Sequence, residues 1–159
     1  MTMGRTDNAV VIDAPLDFVW ETMNDVENWP NLFTEYAKSE ILERNGNTIL
    51  FRLETHPDPE YDNKVWSWTS ERTVDPETRT AKSRRIDLQN IPYERMEIEW
   101  YFEPRDDGTE MRWVQDFSMK PEAPADDAGA EEYMNKNTKV QMSAIKERLE
   151  QEAAGEGGA

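Results

Sequence analysis

Residues 65–72, VWSWTSER, alternate at the two-residue period of a β-strand. One face of that strand carries Trp66, Trp68, Ser70 and Arg72, and the intervening residues occupy the other face. A solvent-facing position would expose two indoles. An interior position would bury an arginine, and an unpaired buried charge costs several kcal/mol. An interior position for this face would therefore place an arginine beside two tryptophans, which requires a structural or functional reason for the buried charge.

The residues around this strand predict a sheet flanked by helices. Leu16, Val19, Trp20 and Met23 fall at helical spacing, and the sequence NGN at 45–47 is a strong hairpin signal. We predict strands over residues 7–13, 38–43, 48–56, 64–74, 80–87, 95–103 and 109–120. We predict helices over 16–26 and 126–151, with a short irregular or helical piece at 29–36.

This element order is one strand, one or two helices, about six antiparallel strands and a long C-terminal helix, which indicates an α+β fold. Residues 1–153 are expected to form a single domain and residues 154–159 a disordered tail. On the last helix we expect Tyr133, Asn137, Val140, Ala144 and Leu149 to lie roughly along one stripe, with Met142 and Ile145 beside it. A curved sheet cannot cover so long a helix tightly, so an interior pocket is expected between them.

Composition excludes several kinds of function. The chain has 159 residues, a formal net charge of −16, one histidine and no cysteine. The acidity opposes binding to nucleic acid or to an anionic membrane surface. Without cysteine, thiol chemistry is excluded and a zinc site is not expected. No apolar run reaches the roughly 20 residues of a membrane span, and we expect a cytoplasmic protein.

Few residues carry reactive chemistry, and the spacing alone leaves a structural role open for each. Arg72 either lines a pocket, extends its charge to solvent or pairs with an acid. Gln115 is an amide on an otherwise apolar strand face, where it often satisfies a backbone group. Tyr36 follows a helical turn and fits an ordinary core, and His56 ends a strand before a proline. No phosphate-binding loop and no nucleophile with an adjacent base is present.

Four segments together are similar to one known family. They are RTDNAVVIDAP (5–15), NDVENWPNLFTEYA (24–37), VWSWTSER (65–72) and TEMRWVQDFSMKPEAPADD (109–127). The chain resembles, over about residues 5–150, the monodomain aromatase/cyclases of bacterial type II polyketide synthases. These belong to the START/Bet v 1-like helix-grip superfamily, in which a bent antiparallel sheet of about seven strands wraps around a long C-terminal helix and encloses a pocket.

This resemblance implies a function. Family members accept a linear poly-β-ketone on acyl carrier protein and direct an intramolecular aldol closure and a dehydration, without a metal or organic cofactor. The resemblance places the catalytic roles on Arg72, which would stabilise enolate or alkoxide charge, and on Tyr36, which would donate or relay a proton. The expected substrate-binding residues are Trp29, Phe33, Trp66, Trp68, Ser70, Arg85, Met96, Trp100 and Gln115. First-ring closure between carbon nine and carbon fourteen is favoured over closure between carbon seven and carbon twelve.

Several expectations stay open at this stage. The ketosynthase and chain length factor are possible further partners, and we expect a monomer, with a dimer still open. The segments 57–63 and 88–95 are longer than the family pattern, which bears on chain length and regiochemistry. Arg84, Arg85 and Arg95 could form a basic landing patch for the acidic carrier protein. The alternatives to a cyclase are a non-catalytic carrier of an apolar or aromatic ligand and a structural chaperone within a synthase.

Overall fold

Seven antiparallel strands and a long C-terminal helix make up the computed structural model, which describes residues 4–59, 62–89, 91–123 and 125–157. The strands are β1 (Gly4–Ile12), β2 (Tyr36–Asn45), β3 (Thr48–Thr55), β4 (Ser67–Asp75), β5 (Thr80–Arg85), β6 (Tyr93–Arg105) and β7 (Gly108–Met119). The helices are α1 (Leu16–Asn24), a 3-10 turn (Val26–Asn28), α2 (Trp29–Leu32) and α3 (Asp127–Gly157). The strands lie in one sheet in the order β1-β7-β6-β5-β4-β3-β2, which confirms the predicted fold class.

Strand β4 has the alternation that the sequence predicts. Trp68, Ser70 and Arg72 are buried, and the residues between them are partly exposed. The strand begins at Ser67, later than the predicted start at residue 64. Trp66 lies just before it, where its backbone N–H donates to the Thr55 hydroxyl at 2.9 Å. The side chains of Trp68, Ser70 and Arg72 therefore point into the concave interior, and those of the intervening residues point away from it.

The β2–β3 connection is the two-residue hairpin that NGN predicts. Asn45 pairs with Thr48, and the loop consists of Gly46 and Asn47. Gly46 has a φ of +61°, and a positive φ at the first loop residue favours glycine and matches the twist of a hairpin. This turn sets the register of the pairs next to it, in which Arg44 lies opposite Ile49.

Helix α1 closes one end of the sheet with its apolar face. Val19, Trp20 and Met23 are buried, and Trp20 meets the Phe102 ring edge-on at 5.4 Å between centroids. The helix ends at Asn24, two residues before the predicted end, and the 3-10 turn continues the chain into α2. The Trp29 indole N–H donates to the Met23 carbonyl at 2.9 Å, so the end of α1 and the start of α2 are held together.

Helix α3 begins as predicted but ends later. The Asp126 carboxylate accepts a hydrogen bond from the Gly129 backbone N–H at 2.8 Å, which is the usual chemistry of a helix N-cap. The helix continues to Gly157, so the predicted disordered tail is wrong for residues 154–157. Residues 158–159 lie outside the described part of the chain. An ion pair between Arg148 and Glu152, one turn apart, supports this last stretch.

The buried face of α3 matches the predicted stripe only in part. Leu149 is buried, as are Met142 and Ile145 beside the stripe, whereas Tyr133 and Val140 are 38% and 53% exposed. The helix is anchored along β1 by three polar contacts: Asn8 to Asn135, Lys146 to the Val11 carbonyl, and the Asp13 N–H to Glu150. Because the anchors lie along one edge of the sheet, the predicted space between α3 and the sheet centre is present. No helix within the described ranges is long and apolar enough to cross a membrane.

Gly108 and Gly46 provide a test of the two hairpins. A Cβ on Gly108 would lie 2.0 Å from the Ile12 carbonyl oxygen, at a φ of +137°, whereas a Cβ on Gly46 meets open space. We expect Gly108→Ala to lower the free energy of unfolding by about 3 kcal/mol or more, and Gly46→Ala by about 1 kcal/mol. Urea denaturation followed by circular dichroism measures both, and equal losses would contradict this account of the β6–β7 turn.

Candidate active site

A cavity of about 370 Å³ occupies the space between the sheet and α3. Its walls come from the concave face of the sheet, one face of α3, the segment 33–36 and the loops that follow β3 and β5. Tyr133, Asn137 and Val140 of α3 face this space, which explains why they leave the packed stripe. The cavity is therefore built by the curvature of the sheet and the position of one helix.

Aromatic rings in continuous contact line much of this cavity. Trp100 and Trp113, paired across β6 and β7, have ring centroids 4.8 Å apart. Phe33 continues the series, 5.7 Å from Trp113 and 4.9 Å from Tyr36, and Tyr36 meets Trp68 at 6.1 Å. Such a wall binds planar or extended apolar ligands by stacking and by burial of surface.

The structure brings most of the predicted site residues to the cavity, but not all. Those that line it are Phe33, Tyr36, Trp66, Trp68, Arg85, Trp100 and Gln115. Trp29 and Ser70 instead line an adjoining void of about 30 Å³ behind Trp68 and Trp100. Met96 is buried in a separate cluster with Phe117, Ala130 and Met134. Trp113 lines the cavity although the sequence analysis did not select it.

Arg72 lies behind the aromatic wall rather than on the cavity. It is 1% exposed, and its guanidinium carbon is 4.5 Å from the Trp100 ring and 5.4 Å from the Trp29 ring. Its Nη2 donates to Asn24 Oδ1 at 2.8 Å and its Nη1 to Ser83 Oγ at 3.4 Å. Among the residues described, no acid forms a salt bridge with it, and burial lowers its pKa to about 9. Arg72 therefore remains a cation near neutral pH, stabilised mainly by neutral groups and π faces.

Arg85 is the cation that does reach the cavity. Its guanidinium carbon lies 3.9 Å from the Trp68 ring and 5.1 Å from the Tyr93 ring. It faces inward because it alternates with Arg84, which points outward and pairs with Glu71 at 3.3 Å. Arg95 pairs with Glu97; two of the three arginines are thus ion-paired, and a landing patch formed by them stays a prediction.

Gln115 has a fixed orientation in the cavity wall. Its Oε1 accepts hydrogen bonds from the Thr6 hydroxyl at 2.7 Å and the Thr138 hydroxyl at 3.0 Å. Two donors on the oxygen fix the amide plane, which leaves the amide NH₂ as the group able to donate elsewhere. Gln115 is thus an oriented side chain in the wall that β7 shares with α3.

Glu35 is a titratable cavity residue that the sequence analysis did not select. It lies in a turn before β2 and faces the cavity together with its neighbour Tyr36. Burial raises the pKa of its carboxyl above the usual range, while hydrogen bonds from Asn137 and Tyr36 and the charge of Arg85 act in the opposite direction. Burial, followed by the charge of Glu35, raises the pKa of the Tyr36 phenol well above its ordinary value. Glu35 and Tyr36 are thus coupled, as groups that exchange protons in active sites are.

Helix α3 holds the turn that carries Glu35. Gln141 Oε1 accepts a hydrogen bond from the Thr34 backbone N–H at 2.8 Å, and its Nε2 donates to the Thr34 hydroxyl at 2.7 Å. One turn earlier on the same face, Asn137 Nδ2 donates to Glu35 Oε2 at 3.0 Å. A search of the sequence for polar side chains four residues apart on a helix would have found Asn137 and Gln141. It would not have found Glu35, the hydrogen-bond partner of Asn137, which lies 102 residues away in the chain.

The described part of the chain contains no group of three or more His, Cys, Asp or Glu side chains placed to hold a metal ion. The polar groups of the cavity include the adjacent side chains of Glu35 and Tyr36, the Arg85 guanidinium and the oriented Gln115 amide. This set can polarise carbonyl oxygens and transfer protons.

Comparisons with known proteins show which family the chain resembles. A family model described as polyketide cyclase/dehydrase and lipid transport matches residues 12–145. A protein of Streptomyces cyaneus provisionally named polyketide cyclase is 49% identical, over 93% of this chain and 95% of its own length. The actinorhodin polyketide synthase bifunctional cyclase/dehydratase of Streptomyces coelicolor is 30% identical, over 89% of this chain and 42% of its own length.

A solved structure extends the likeness to the fold. The Zhui aromatase/cyclase of a Streptomyces species superposes with a TM-score of 0.78 at 24% identity, covering 96% of this chain and 94% of the other. The agreement confirms the helix-grip architecture. On the match over residues 12–145 and the 49% identity, the chain belongs to the polyketide cyclase/dehydrase and lipid transport family.

Proposed function

We propose that this protein is a cofactor-independent polyketide aromatase/cyclase of a type II synthase. It binds a linear poly-β-ketone on acyl carrier protein, directs the first aldol ring closure between carbon nine and carbon fourteen, and promotes dehydration to an aromatic ring. The observation that carries this proposal is the combination of an aromatic cavity with Tyr36, Arg85 and Gln115 on its wall. The relatives named as cyclases support the reaction class.

The reaction requires groups that stabilise negative charge as it develops. Loss of a proton from a methylene between two ketones gives an enolate, whose carbon attacks a second ketone of the same chain and forms a C–C bond and an alkoxide. The alkoxide takes a proton, and a second proton loss then expels water. Arg85 and the Gln115 amide are placed to bind carbonyl or enolate oxygen, and Tyr36 to protonate the alkoxide or the leaving hydroxyl.

The aromatic wall supplies regiochemistry rather than charge. A poly-β-ketone can close in several ways, and the product depends on which carbonyl comes near which methylene. Stacked rings such as Trp68, Trp100 and Phe33 leave a space of fixed shape, so one fold of the chain approaches attack geometry more often than the others.

Arg72 contributes to this mechanism through its field. Because Trp29 and Trp100 cover it, we assign it no direct contact with substrate in this conformation. A unit charge about 8 Å away still contributes about 2 kcal/mol at an effective dielectric constant near 20. That amount corresponds to roughly 30-fold in rate. It requires no hydrogen bond between Arg72 and the enolate or alkoxide oxygen.

A carrier of an apolar ligand is the second candidate function. The family description includes lipid transport, and Tyr133 and Val140 form an exposed apolar rim beside the cavity. A carrier needs this rim and the aromatic wall, whereas a cyclase also needs the proton-bearing groups. The product distribution of a synthase distinguishes the two functions.

Product profiling tests the proposed function directly. A reconstituted minimal polyketide synthase is expected to give a mixture of spontaneously closed products, and catalytic amounts of this protein are expected to convert that mixture to one product closed between carbon nine and carbon fourteen. Tyr36→Phe should lower the rate of that product by about 10²-fold. Tyr101→Phe is the matched control, since Tyr101 hydrogen-bonds to Glu99 outside the cavity. An unchanged mixture, with tight binding of 1,8-dihydroxyanthraquinone, would favour the carrier.

Substitution of Arg72 separates charge from stability. Arg72→Met removes a buried cation that lacks a described acidic partner, so the melting temperature should stay the same or rise, while directed cyclisation falls roughly 30-fold. Arg44→Met, at an exposed ion pair with Glu27, should change neither quantity. Loss of folding in Arg72→Met would instead assign Arg72 a structural role.

The pH dependence follows from the lowered pKa of Arg72. Since the folded pKa of about 9 lies below the ordinary value of an arginine, the unfolded chain binds more protons than the folded chain from about pH 9 up to that ordinary value. The free energy of unfolding should therefore rise with pH in this range, while the contribution of Arg72 to the rate is lost. Urea denaturation of the wild type and of Arg72→Met across this range measures the difference, which should vanish in the variant.

A further inference from the structure

Glu35 is a half-buried acidic group on the cavity wall that the mechanism above does not use. Its side chain faces the cavity from a turn, so it shares that space with Tyr36 although the two residues are adjacent in sequence. In a regular strand, neighbouring side chains would point to opposite faces. The turn is thus what brings a carboxylate and a phenol together on one cavity wall.

Contacts from two elements fix the position of Glu35. Asn137 of α3 donates to the carboxylate Oε2 at 3.0 Å, and the neighbouring Tyr36 phenol acts on the pKa of the carboxyl. The Glu35 backbone carbonyl accepts from the His56 N–H at 3.0 Å, and Gln141 holds the preceding residue, Thr34, on both its N–H and its hydroxyl. A carboxylate held in this way does not have to be reoriented when a substrate arrives.

Three of the described cavity residues could act as bases. His56 is exposed, and Asp58 lies on the loop that follows β3, where its backbone pairs with Lys64. Glu35 is held by Asn137 of α3 and adjoins Tyr36. It therefore has both a fixed position and an adjacent proton donor.

We propose that Glu35 removes the methylene proton that starts ring closure, and that Asn137 is the positioning residue that aims its carboxylate. This inference rests on the proposed function and adds the base to it. Tyr36 and Glu35 then act as a pair, one as acid and the other as base.

The proton balance of the two steps closes without any further reagent. In the aldol step the Glu35 carboxylate takes a proton from carbon, the new C–C bond forms, and the alkoxide takes a proton from Tyr36, which recovers it from Glu35. In the dehydration step Glu35 again takes a proton from carbon, and the C–O bond breaks as Tyr36 protonates the departing hydroxyl. One water leaves, and the Glu35 proton returns to Tyr36.

The rate should depend on pH through the Glu35 carboxyl, because only its ionised form is a base. The titratable or charged neighbours around it are Arg85 from β5, Tyr36 from β2, His56 and Asp58 from the loop after β3, and Tyr133 from α3. Since the pKa of Glu35 is raised, the rate should increase with pH through a value above that of an ordinary glutamate. Asn137→Ala removes a hydrogen bond that lowers this pKa, so the rising limb should move to higher pH.

The first experiment compares Glu35→Gln with the wild type on the minimal synthase. Glu35→Gln should lower directed cyclisation by about 10²–10⁴-fold and remove the rising limb of the pH profile. It should still bind 1,8-dihydroxyanthraquinone, followed by quenching of tryptophan fluorescence. Glu43→Gln is the matched control, an exposed glutamate on the same strand as Tyr36, and should behave as wild type.

The outcomes distinguish this inference from the proposed function. If the wild type directs cyclisation and Glu35→Gln does so equally well with the same pH profile, the assignment of Glu35 is overturned and the function stands. If the wild type leaves the product mixture unchanged, both are overturned. If Glu35→Gln does not fold, Asn137→Ala is the deciding variant. A rising part of its pH–rate profile that is shifted to higher pH, with the rate recovered at high pH, supports the inference. An equal loss of rate at all pH values contradicts it.

Discussion

The contact between α3 and the turn at Thr34 and Glu35 determines the arrangement of the site. Asn137 and Gln141 lie one helical turn apart, and together they bind two consecutive residues of that turn. Since three further polar anchors of α3 lie along β1, the helix spans the concave sheet between two supports instead of packing onto its centre. The same contacts therefore leave the cavity open and aim a carboxylate into it, which links the shape of the site to its chemistry.

The charge of the interior is the opposite of the charge of the whole chain. The sequence carries a net charge of −16, yet two cations, Arg85 and Arg72, lie at the cavity and in the wall behind it, beside the half-buried carboxyl of Glu35, whose pKa is raised. An anionic intermediate is thus favoured inside a molecule that repels anions outside. The acidic surface also means that an acidic carrier protein would find little general attraction, so its docking on this proposal depends on the substrate entering the cavity more than on surface charge.

The sequence predicts the parts of this structure that follow from local periodicity. The alternation of Trp68, Ser70 and Arg72, the hairpin at Gly46 and the order of elements all depend on residues close together in the chain, and they are confirmed. The position of Arg72 behind Trp29 and Trp100 could not be predicted in this way, because a strand pattern gives the face of a side chain but not what covers it. Glu35 was missed for a related reason: its role depends on Asn137, 102 residues away, and on a turn that breaks the alternation.

The burial of Arg72 favours a reaction over simple transport. A carrier of an apolar ligand is best stabilised by apolar walls, and replacing a buried charge by an apolar side chain of similar volume is often neutral or stabilising. Arg72 instead keeps a guanidinium that burial makes costly, held by Asn24, Ser83 and two indole faces. Such a cation contributes little to holding a neutral ligand but stabilises an enolate or alkoxide formed nearby. The proposed cyclisation requires this arrangement. Burial of the Arg72 cation lowers the stability of the free protein, and the cation becomes favourable only when negative charge develops on the substrate.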